Sequence, residues 1–121
     1  MVIKATRRMA AATYNLVIDQ GSDFSIDLVV KEQGSVKNLT NYSARAQLRT
    51  KKDASGSAAA SFTCTITDAA AGAITMDLPN SVSSGIAAGR YYYDLEIFTA
   101  SDTVVKRLIQ GEVTLNQEVT R

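Results

Sequence analysis

The sequence predicts an all-β domain, arranged as an antiparallel sandwich or barrel of seven or eight short strands with one short helical turn. Three observations predict it. Aromatic and β-branched residues gather in short segments, these segments alternate apolar and polar side chains, and turn-forming residues separate them at fairly regular intervals. With 121 residues and an apolar content of 45%, the chain is long and apolar enough for one domain with its own core.

Composition excludes several classes of chemistry. The chain has no histidine, which removes Ser-His-Asp and Cys-His catalysis and imidazole metal ligands. We therefore expect no enzyme, no metal and no other cofactor. The single cysteine, Cys64, rules out an intrachain disulfide. Its place in an apolar alternation predicts a small core side chain rather than a reactive thiol.

Charge and hydropathy bear on the partners of the chain. The net charge of +1 predicts no global attraction to nucleic acid or to a membrane surface. No apolar run approaches the roughly 20 residues that a membrane span needs. The N-terminal charges are not followed by an apolar segment of the kind found in signal peptides, so no secretory signal is expected.

The first twelve residues differ from the rest of the chain. They carry Lys4, Arg7 and Arg8 and no acid, whereas the remainder holds ten basic and twelve acidic residues. We interpret residues 1–12 as a basic N-terminal arm and residues 13–121 as the β-sandwich domain. The arm is either a frayed terminus or a segment that pairs with a neighbouring subunit, to which it could add as a strand, or with an acidic surface.

Seven segments have the alternation of a strand, and an eighth short bridging strand fits residues 36–39. The predicted strands cover residues 13–18, 24–30, 42–49, 62–66, 73–78, 89–98 and 104–116. Between the fifth and sixth of these, Pro79 cannot donate to a ladder, and Asn80 or Ser81 could cap a single helical turn. We therefore predict a short helix there, with Val82 and Ile86 turned inward.

The two C-terminal strands carry the most informative residues. In residues 89–98, the odd-numbered positions from Tyr91 onward share one face and the even-numbered positions share the other. Tyr92 is then left for a surface or partner contact. In the last strand, Ile109, Val113 and Leu115 are expected on the core side. Gly111 falls between them and predicts a bulge or a close backbone contact.

Two pairs of carboxylates are candidate sites. Asp94 and Glu96 lie two apart on one strand face, as in some hydrolases and calcium sites, but a solvated face opposite Arg45 or Arg49 explains them better. Asp19 and Asp23 flank a turn and could hold calcium, although turn chemistry explains them as well.

Basic residues form a stripe that runs from one strand into a loop and comprises Arg45, Arg49, Lys51 and Lys52. It is either a solvated edge protected against aggregation or a surface for an acidic partner or nucleic acid. No aromatic residue interleaves with these charges, as single-strand binders require, so we expect no nucleic acid.

Four segments, in this order, resemble a family of small tailed-bacteriophage virion proteins, similar to the N-terminal domain of the baseplate upper protein of siphophages. The segments are YNLVIDQGSDF at 14–24, NLTNYSARAQLR at 38–49, AAGRYYYDLE at 87–96 and GEVTLNQEVTR at 111–121. The resemblance covers residues 13–121. One departure is Asn41, where the family often has glycine; asparagine still tolerates a left-handed backbone.

The resemblance implies an immunoglobulin-like β-sandwich that serves as an assembly or attachment module of a virion, with no catalytic residues. The absence of an appended receptor-binding domain favours a purely structural role. Three functions remain open: a tail or baseplate module, a capsid decoration protein, and a carbohydrate- or receptor-binding sandwich that uses Tyr92 and Phe98. The expected partners are further copies of the chain and other virion proteins, and the expected location is the virion, after synthesis in the host cytoplasm. Partner contacts are expected at Lys4, Arg7, Arg8, Arg45, Arg49, Tyr92 and Phe98.

Overall fold

A computed structural model describes residues 2–6, 12–32, 34–51 and 58–119. In these residues the chain forms ten strands, one short helix and one 3-10 turn, so the all-β prediction is confirmed. The first five strands are β1 (Val2–Thr6), β2 (Ala12–Thr13), β3 (Leu16–Asp19), β4 (Phe24–Glu32) and β5 (Ser35–Val36). The others are β6 (Ser43–Arg49), β7 (Ala58–Asp68), β8 (Ala73–Leu78), β9 (Gly89–Phe98) and β10 (Val105–Asn116). Helix α1 is Asn80–Ser83, and the 3-10 turn is Ala100–Asp102.

All ten strands belong to one continuous sheet. Its order is β1-β4-β8-β7-β6-β9-β10-β2, with β3 also paired to β10 and β5 to β4. Strand β7 joins two halves of the sheet because its first residues pair with β6 and its last residues pair with β8. The sheet curls, so that β1 at one end of the order approaches β10 near the other.

The prediction that every strand pair is antiparallel is wrong. Strand β1 runs parallel to β4, and both β2 and β3 run parallel to β10. These parallel pairs join segments that are far apart in sequence, whereas the antiparallel pairs include hairpins such as β9–β10. Alternation within a strand fixes which face is buried but carries no information about strand direction. The sheet is therefore mixed.

A single core fills the inside of the curled sheet, and both halves contribute to it. Three aromatic rings connect the halves: Phe24 lies 6.2 Å from Phe62, and Phe62 lies 6.2 Å from Tyr93, measured between ring centroids. Tilted and edge-on ring pairs of this spacing are favourable. Cys64 lies half-buried beside this core, as predicted, and burial together with the charge of Asp77 raises its thiol pKa to about 11.

Strand β10 contains an irregularity that the sequence pattern did not reveal. The pairing with β9 shifts register between Arg107 and Ile109, so Leu108 and Ile109 are both fully buried. Gly111 is not the bulge; it makes the predicted close backbone contact. A Cβ atom there would lie 2.9 Å from the Asn15 Oδ1 atom and closer still to the Tyr14 carbonyl oxygen.

The connection from β8 to β9 contains the predicted helical turn, and Ile86 is buried behind it. Its N-terminus is not capped by Asn80 or Ser81. Instead, the Asn80 backbone N–H donates to Asp23 Oδ1 at 2.7 Å, and the Asn80 side-chain amide donates to the same oxygen. The Ser83 hydroxyl donates to the Ser22 carbonyl at 2.7 Å. The turn at 22–23, which leads into the neighbouring strand β4, therefore anchors the helix.

The turn before β6 has the form expected from the sequence. Asn38 Oδ1 accepts hydrogen bonds from the backbone N–H and the hydroxyl of Thr40. Asn41 has a φ of 70°, the left-handed conformation that asparagine tolerates. Leu39 is buried, and Tyr42 packs against the core at its margin.

Candidate functional site

The outer surface of β6, β9 and β10 carries most of the candidate residues, and we call it the charged face. Alternation along β9 buries Tyr91, Tyr93, Leu95 and Ile97, so the residues between them point outward. Cross-strand register then places Glu96 between Arg45 of β6 and Arg107 of β10. The charged face consists of Arg45, Gln47, Arg49, Tyr92, Asp94, Glu96, Phe98, Arg107, Gln110 and Glu112.

Arg45 is held by three neighbours at one end of this face. Its Nε donates to Glu96 Oε1 at 2.9 Å, and its Nη1 atom lies 3.4 Å from Asp102 Oδ1. Its guanidinium carbon lies 4.2 Å from the centre of the Phe98 ring, a cation–π contact. The hydrogen bond that Arg45 donates to Glu96 is the largest of the effects that raise the pKa of Arg45. The predicted pairing of Glu96 with Arg45 is confirmed.

Asp94 occupies the middle of the charged face. Arg107 Nε lies 3.1 Å from Asp94 Oδ2, so Asp94 forms an ion pair with β10. Partial burial raises the pKa of Asp94, an effect that Glu96 reinforces and Arg107 and Arg49 oppose. Asp94 and Glu96 thus pair with different arginines and are not a convergent pair of acids.

Arg49 lies at the other end of β6. Its Nε and Nη2 atoms donate to Gln47 Oε1 at 3.1 and 2.7 Å. Farther along the face, Arg90 Nη1 lies 3.5 Å from Glu112 Oε1. Positive and negative side chains therefore alternate across the strands, and the predicted basic stripe does not stand alone on this surface. Lys51 is exposed beyond β6, and Lys52 lies outside the described residues.

A shallow groove of about 660 Å³ crosses the charged face. One wall comes from the end of β6 and Lys51, and the other from Thr13 and Asn15. Its floor includes Tyr92 and Asp94. The residues on β10 that complete it are Arg107, Gln110, Gly111 and Glu112. Sequence reasoning did not single out Arg107, Gln110 or Glu112. For Arg107 the reason is the register shift before Ile109, which interrupts the alternation; Gln110 and Glu112 follow the shift, and only the pairing with β9 shows that they share a surface with Asp94.

The two aromatic candidates do not form one stacking platform. Tyr92 is partly buried in the groove, and Phe98 is covered on one side by Arg45. They lie six residues apart on the same strand face, which separates them by about 20 Å. A single sugar ring could not contact both.

The turn that carries Asp19 and Asp23 is explained by hydrogen bonding. Asp19 Oδ1 accepts from the Asn116 amide at 3.1 Å, and Asp23 anchors helix α1 as described above. In the described parts of the chain, no three carboxylate or thiol groups gather where they could hold a metal ion.

Of the predicted basic arm, the structure describes the backbone of residues 2–6, in β1, and Ala12, which begins β2. Lys4 lies at the centre of β1, opposite Val29 of β4. Arg7 and Arg8 lie outside the described residues. The role of the arm in assembly stays a prediction.

Two further sites hold the sheet together and were not found from the sequence. In the first, Glu32 at the end of β4 lies 3.4 Å from Lys37 Nζ and 3.4 Å from Lys106 Nζ of β10. We call it the Glu32 clamp, because it joins the two ends of the curled sheet. Partial burial raises the pKa of Glu32, but the two lysines outweigh this effect and lower it overall.

The second site is the Tyr14 junction, where the chain passes from β2 to β3 over Gly111. The Tyr93 hydroxyl donates to the Tyr14 carbonyl at 2.5 Å, and the Glu112 backbone N–H donates to Asn15 Oδ1 at 2.9 Å. Burial raises the pKa of Tyr93 well above its usual range. Only Gly111, a glycine inside a strand, could have indicated this junction from the sequence.

Of the helical segments in the part of the chain that the structure describes, none has the length and apolar character that crossing a bilayer requires. A scan against protein families found no match for the sequence, and a search of curated proteins also found none.

Comparison with solved structures does find the fold. The chain is similar to the N-terminal domain of phage TP901-1 ORF48, with 12% sequence identity, a TM-score of 0.59, and coverage of 95% of this chain and 96% of that one. It is also similar to the cysteine protease inhibitor EhICP2 from Entamoeba histolytica, at 15% identity and a TM-score of 0.47 over 95% of each chain. A family 123 glycoside hydrolase from Clostridium perfringens matches at 9% identity and a TM-score of 0.47, over 91% of this chain and 24% of that one.

The last two likenesses are too distant to support an argument. The first spans both chains almost completely, so the resemblance to a phage protein domain inferred from the sequence is confirmed at the level of the fold.

Proposed function

We propose that this chain is a non-enzymatic structural protein of a tailed-phage virion, where it acts as an assembly or attachment module of the tail or baseplate. The observation that carries the proposal is the shared fold with a phage protein domain over 95% of the chain. The ordered set of four sequence segments supports it independently. The proposed partners are further copies of the chain and other virion proteins, without nucleic acid, membrane or cofactor.

The proposal includes an immunoglobulin-like arrangement of the sheet. Two features support it, and the first is the grouping of the strands: β6, β9 and β10 are neighbours in the sheet order, and so are β4, β8 and β7. In addition, the Tyr91 hydroxyl donates to the Ala87 carbonyl at 2.6 Å. A tyrosine near the start of a strand that bonds back to the backbone a few residues upstream is typical of immunoglobulin-like corners.

The charged face is the contact surface that we propose, with Arg45, Arg49, Tyr92 and Phe98 at its ends. Its side chains are already held by one another, so docking would order few of them and lose little entropy. Charges that alternate in sign give register and specificity rather than strong attraction. The partner that would fit this surface is another virion protein whose surface charges alternate in the complementary order. The arm, with Lys4, Arg7 and Arg8, would supply a second contact.

A non-enzymatic role fits the same geometry. Asp94 and Glu96 are engaged in ion pairs on an open strand face, and the chain has no histidine to act with them.

The direct experiment is to look for the protein in phage particles. An antibody raised against the purified chain would be used on particles from the source strain, banded in a density gradient and washed in high salt. We expect the protein in the particle band at a fixed copy number, with immunogold label on the tail. Label on the head would instead favour capsid decoration, and absence from the particles would overturn the proposal.

A glycan array would test the receptor-binding alternative. We expect no binding that depends on Tyr92, and saturable binding that Tyr92→Ala abolishes would favour a carbohydrate-binding function instead.

A further inference from the structure

We propose that the edge of β4 between Asp27 and Lys31 accepts strand β1 from a second copy of the chain, so that copies are joined by strand exchange. The inference rests on the proposed assembly function and names the partner of the arm. Two observations support it: the pairing of β1 with β4, and the position of the next strand, β2, in the sheet.

Strand β1 pairs with β4 in parallel over five residues, from Val2 opposite Asp27 to Thr6 opposite Lys31. Among the described residues, β4 is its only ladder partner. A parallel pair needs no hairpin, so the position of β1 is not fixed by a turn that joins it to its partner strand. The strand can therefore leave and rejoin the sheet as a unit, and a donor from another chain can make the same ladder.

The next strand, β2, lies at the opposite end of the sheet order, against β10. Only five residues, 7–11, separate β1 from β2. Six Cα–Cα steps reach at most roughly 20 Å, so β1 is tethered closely to β10, which the curl of the sheet brings near it. When such a short connection joins strands on different sheet edges, exchange between copies keeps every ladder hydrogen bond and needs no new contact surface.

Departure of β1 would expose the main chain of β4 from residue 27 to residue 31. Residues 28 and 30 of this stretch are buried core positions, so departure of β1 would leave unpaired main-chain groups directly beside the core. An exposed edge of this kind pairs readily with another strand. The N-terminal strand of a neighbouring copy matches it residue by residue, because it is the sequence that pairs there already.

The exchange also sets the geometry of the assembly. Each chain has one donor strand and one acceptor edge. If two chains exchange strands reciprocally, they form a closed dimer; if each chain donates to the next, they form a ring or a filament. Both outcomes use the same register, with Lys4 opposite Val29.

The test uses that register. Full-length chains would carry Cys64→Ala and one new cysteine each: Lys4→Cys in the first chain, and Val29→Cys in the second. The two are unfolded, mixed, refolded together and oxidised mildly, with one chain tagged at its C-terminus so that mass identifies the mixed dimer. Opposite residues on neighbouring strands lie about 5 Å apart at Cα, within the range that a disulfide spans.

The matched control replaces Val29→Cys with Ser25→Cys, which lies on the same strand about 13 Å from position 29. We expect the mixed disulfide dimer of positions 4 and 29 to exceed that of positions 4 and 25 by at least about tenfold. Equal yields, or no mixed dimer, would overturn the inference. Circular dichroism would confirm that each variant folds.

Light scattering of the unmodified chain provides a second measurement that does not depend on any substitution. After refolding at high concentration, we expect an oligomer that is lost when residues 1–6 are deleted. A strict monomer at every concentration would contradict strand exchange. The search for the protein in phage particles is independent of both results. If the protein is found in virions but does not exchange strands, the proposed function stands and the strand exchange is wrong. If strands exchange but the protein is absent from virions, the proposed function is wrong.

Discussion

The two faces of β9 are held in different ways. The inner face places Tyr91, Tyr93, Leu95 and Ile97 in the core, where both tyrosine hydroxyls bond to main-chain carbonyls. The outer face bears Asp94 and Glu96 in ion pairs that remain partly exposed to water. Buried apolar groups and buried hydrogen bonds contribute far more to stability than exposed ion pairs. The difference indicates that the inner face determines the fold and leaves the outer face available for recognition.

The largest expected effect comes from Leu95→Ala. Leu95 is 0% exposed, and truncation removes buried carbons and leaves a cavity, at a cost of about 2–5 kcal/mol in the free energy of unfolding. The matched control is Glu96→Ala on the other face of the same strand, where we expect a loss below about 1 kcal/mol. Urea unfolding followed by circular dichroism would measure both. Equal losses for the two variants would contradict the comparison.

Gly111→Ala is expected to have the next largest effect, because its Cβ would collide with the Tyr14 junction. A loss of about 1–3 kcal/mol is typical when a packed site must accommodate an extra methyl group. Gly85→Ala serves as the control, since the nearest heavy atom to its Cβ would be the Val82 carbonyl oxygen at an ordinary 3.6 Å. If thermal unfolding showed Gly111→Ala to be as stable as the parent chain, the close approach of residues 14 and 111 would be wrong.

Tyr93→Phe should cost about 1 kcal/mol, because it removes the hydrogen bond to the Tyr14 carbonyl and keeps the ring in the core. Tyr42→Phe, which keeps the ring that faces Lys37, is expected to stay within about 0.5 kcal/mol of the parent chain. Denaturant titration at equal protein concentration compares the two. A neutral Tyr93→Phe would mean that the hydroxyl contributes nothing to the junction.

Glu32→Gln tests the clamp, and its effect depends on pH. Because the folded pKa of Glu32 lies below its ordinary value, the unfolded chain binds this proton more readily. The clamp therefore contributes stability at neutral pH, and this contribution is lost as the pH falls below the ordinary value of about 4.5 towards the lowered one. The side chain is 37% exposed, so we expect less than about 1 kcal/mol at pH 7.

The measurement is the difference in unfolding free energy between parent chain and Glu32→Gln, taken from pH 7 to pH 3. Glu112→Gln is the control, since Glu112 has a similar exposure of 39% and pairs with Arg90 within the other half of the sheet. A difference that grows as the pH falls would contradict the clamp.

Much of this fold could be predicted from the sequence because local patterns determine local structure. Strand β9 has the predicted bounds, the helical turn lies where Pro79 interrupts the strands, and Asn41 adopts the left-handed turn. Those features depend on period-two alternation and on backbone preferences, which short segments carry in full.

What could not be predicted depends on contacts between distant segments. The parallel direction of β1 and β3, the ion pairs of Glu32 and the anchoring of α1 by Asp23 join residues far apart in the chain. For the charged face, alternation located Asp94 and Glu96, but only the register across three strands shows which arginine each carboxylate meets. Leu108 was missed because the register shift in β10 breaks the alternation that the prediction relied on.

The most direct test of the account is a charge swap on the outer face, Arg45→Glu combined with Glu96→Arg, expressed in place of the parent protein during phage growth. The swap keeps the net charge and the cross-strand pair and reverses the pattern that a partner would meet. It also gives up the contacts of Arg45 with Asp102 and Phe98, which are partly exposed and therefore contribute little to stability. We predict an unfolding midpoint close to that of the parent chain and a severalfold lower copy number in purified particles. An unchanged copy number at unchanged stability would contradict the claim that this face is the docking surface.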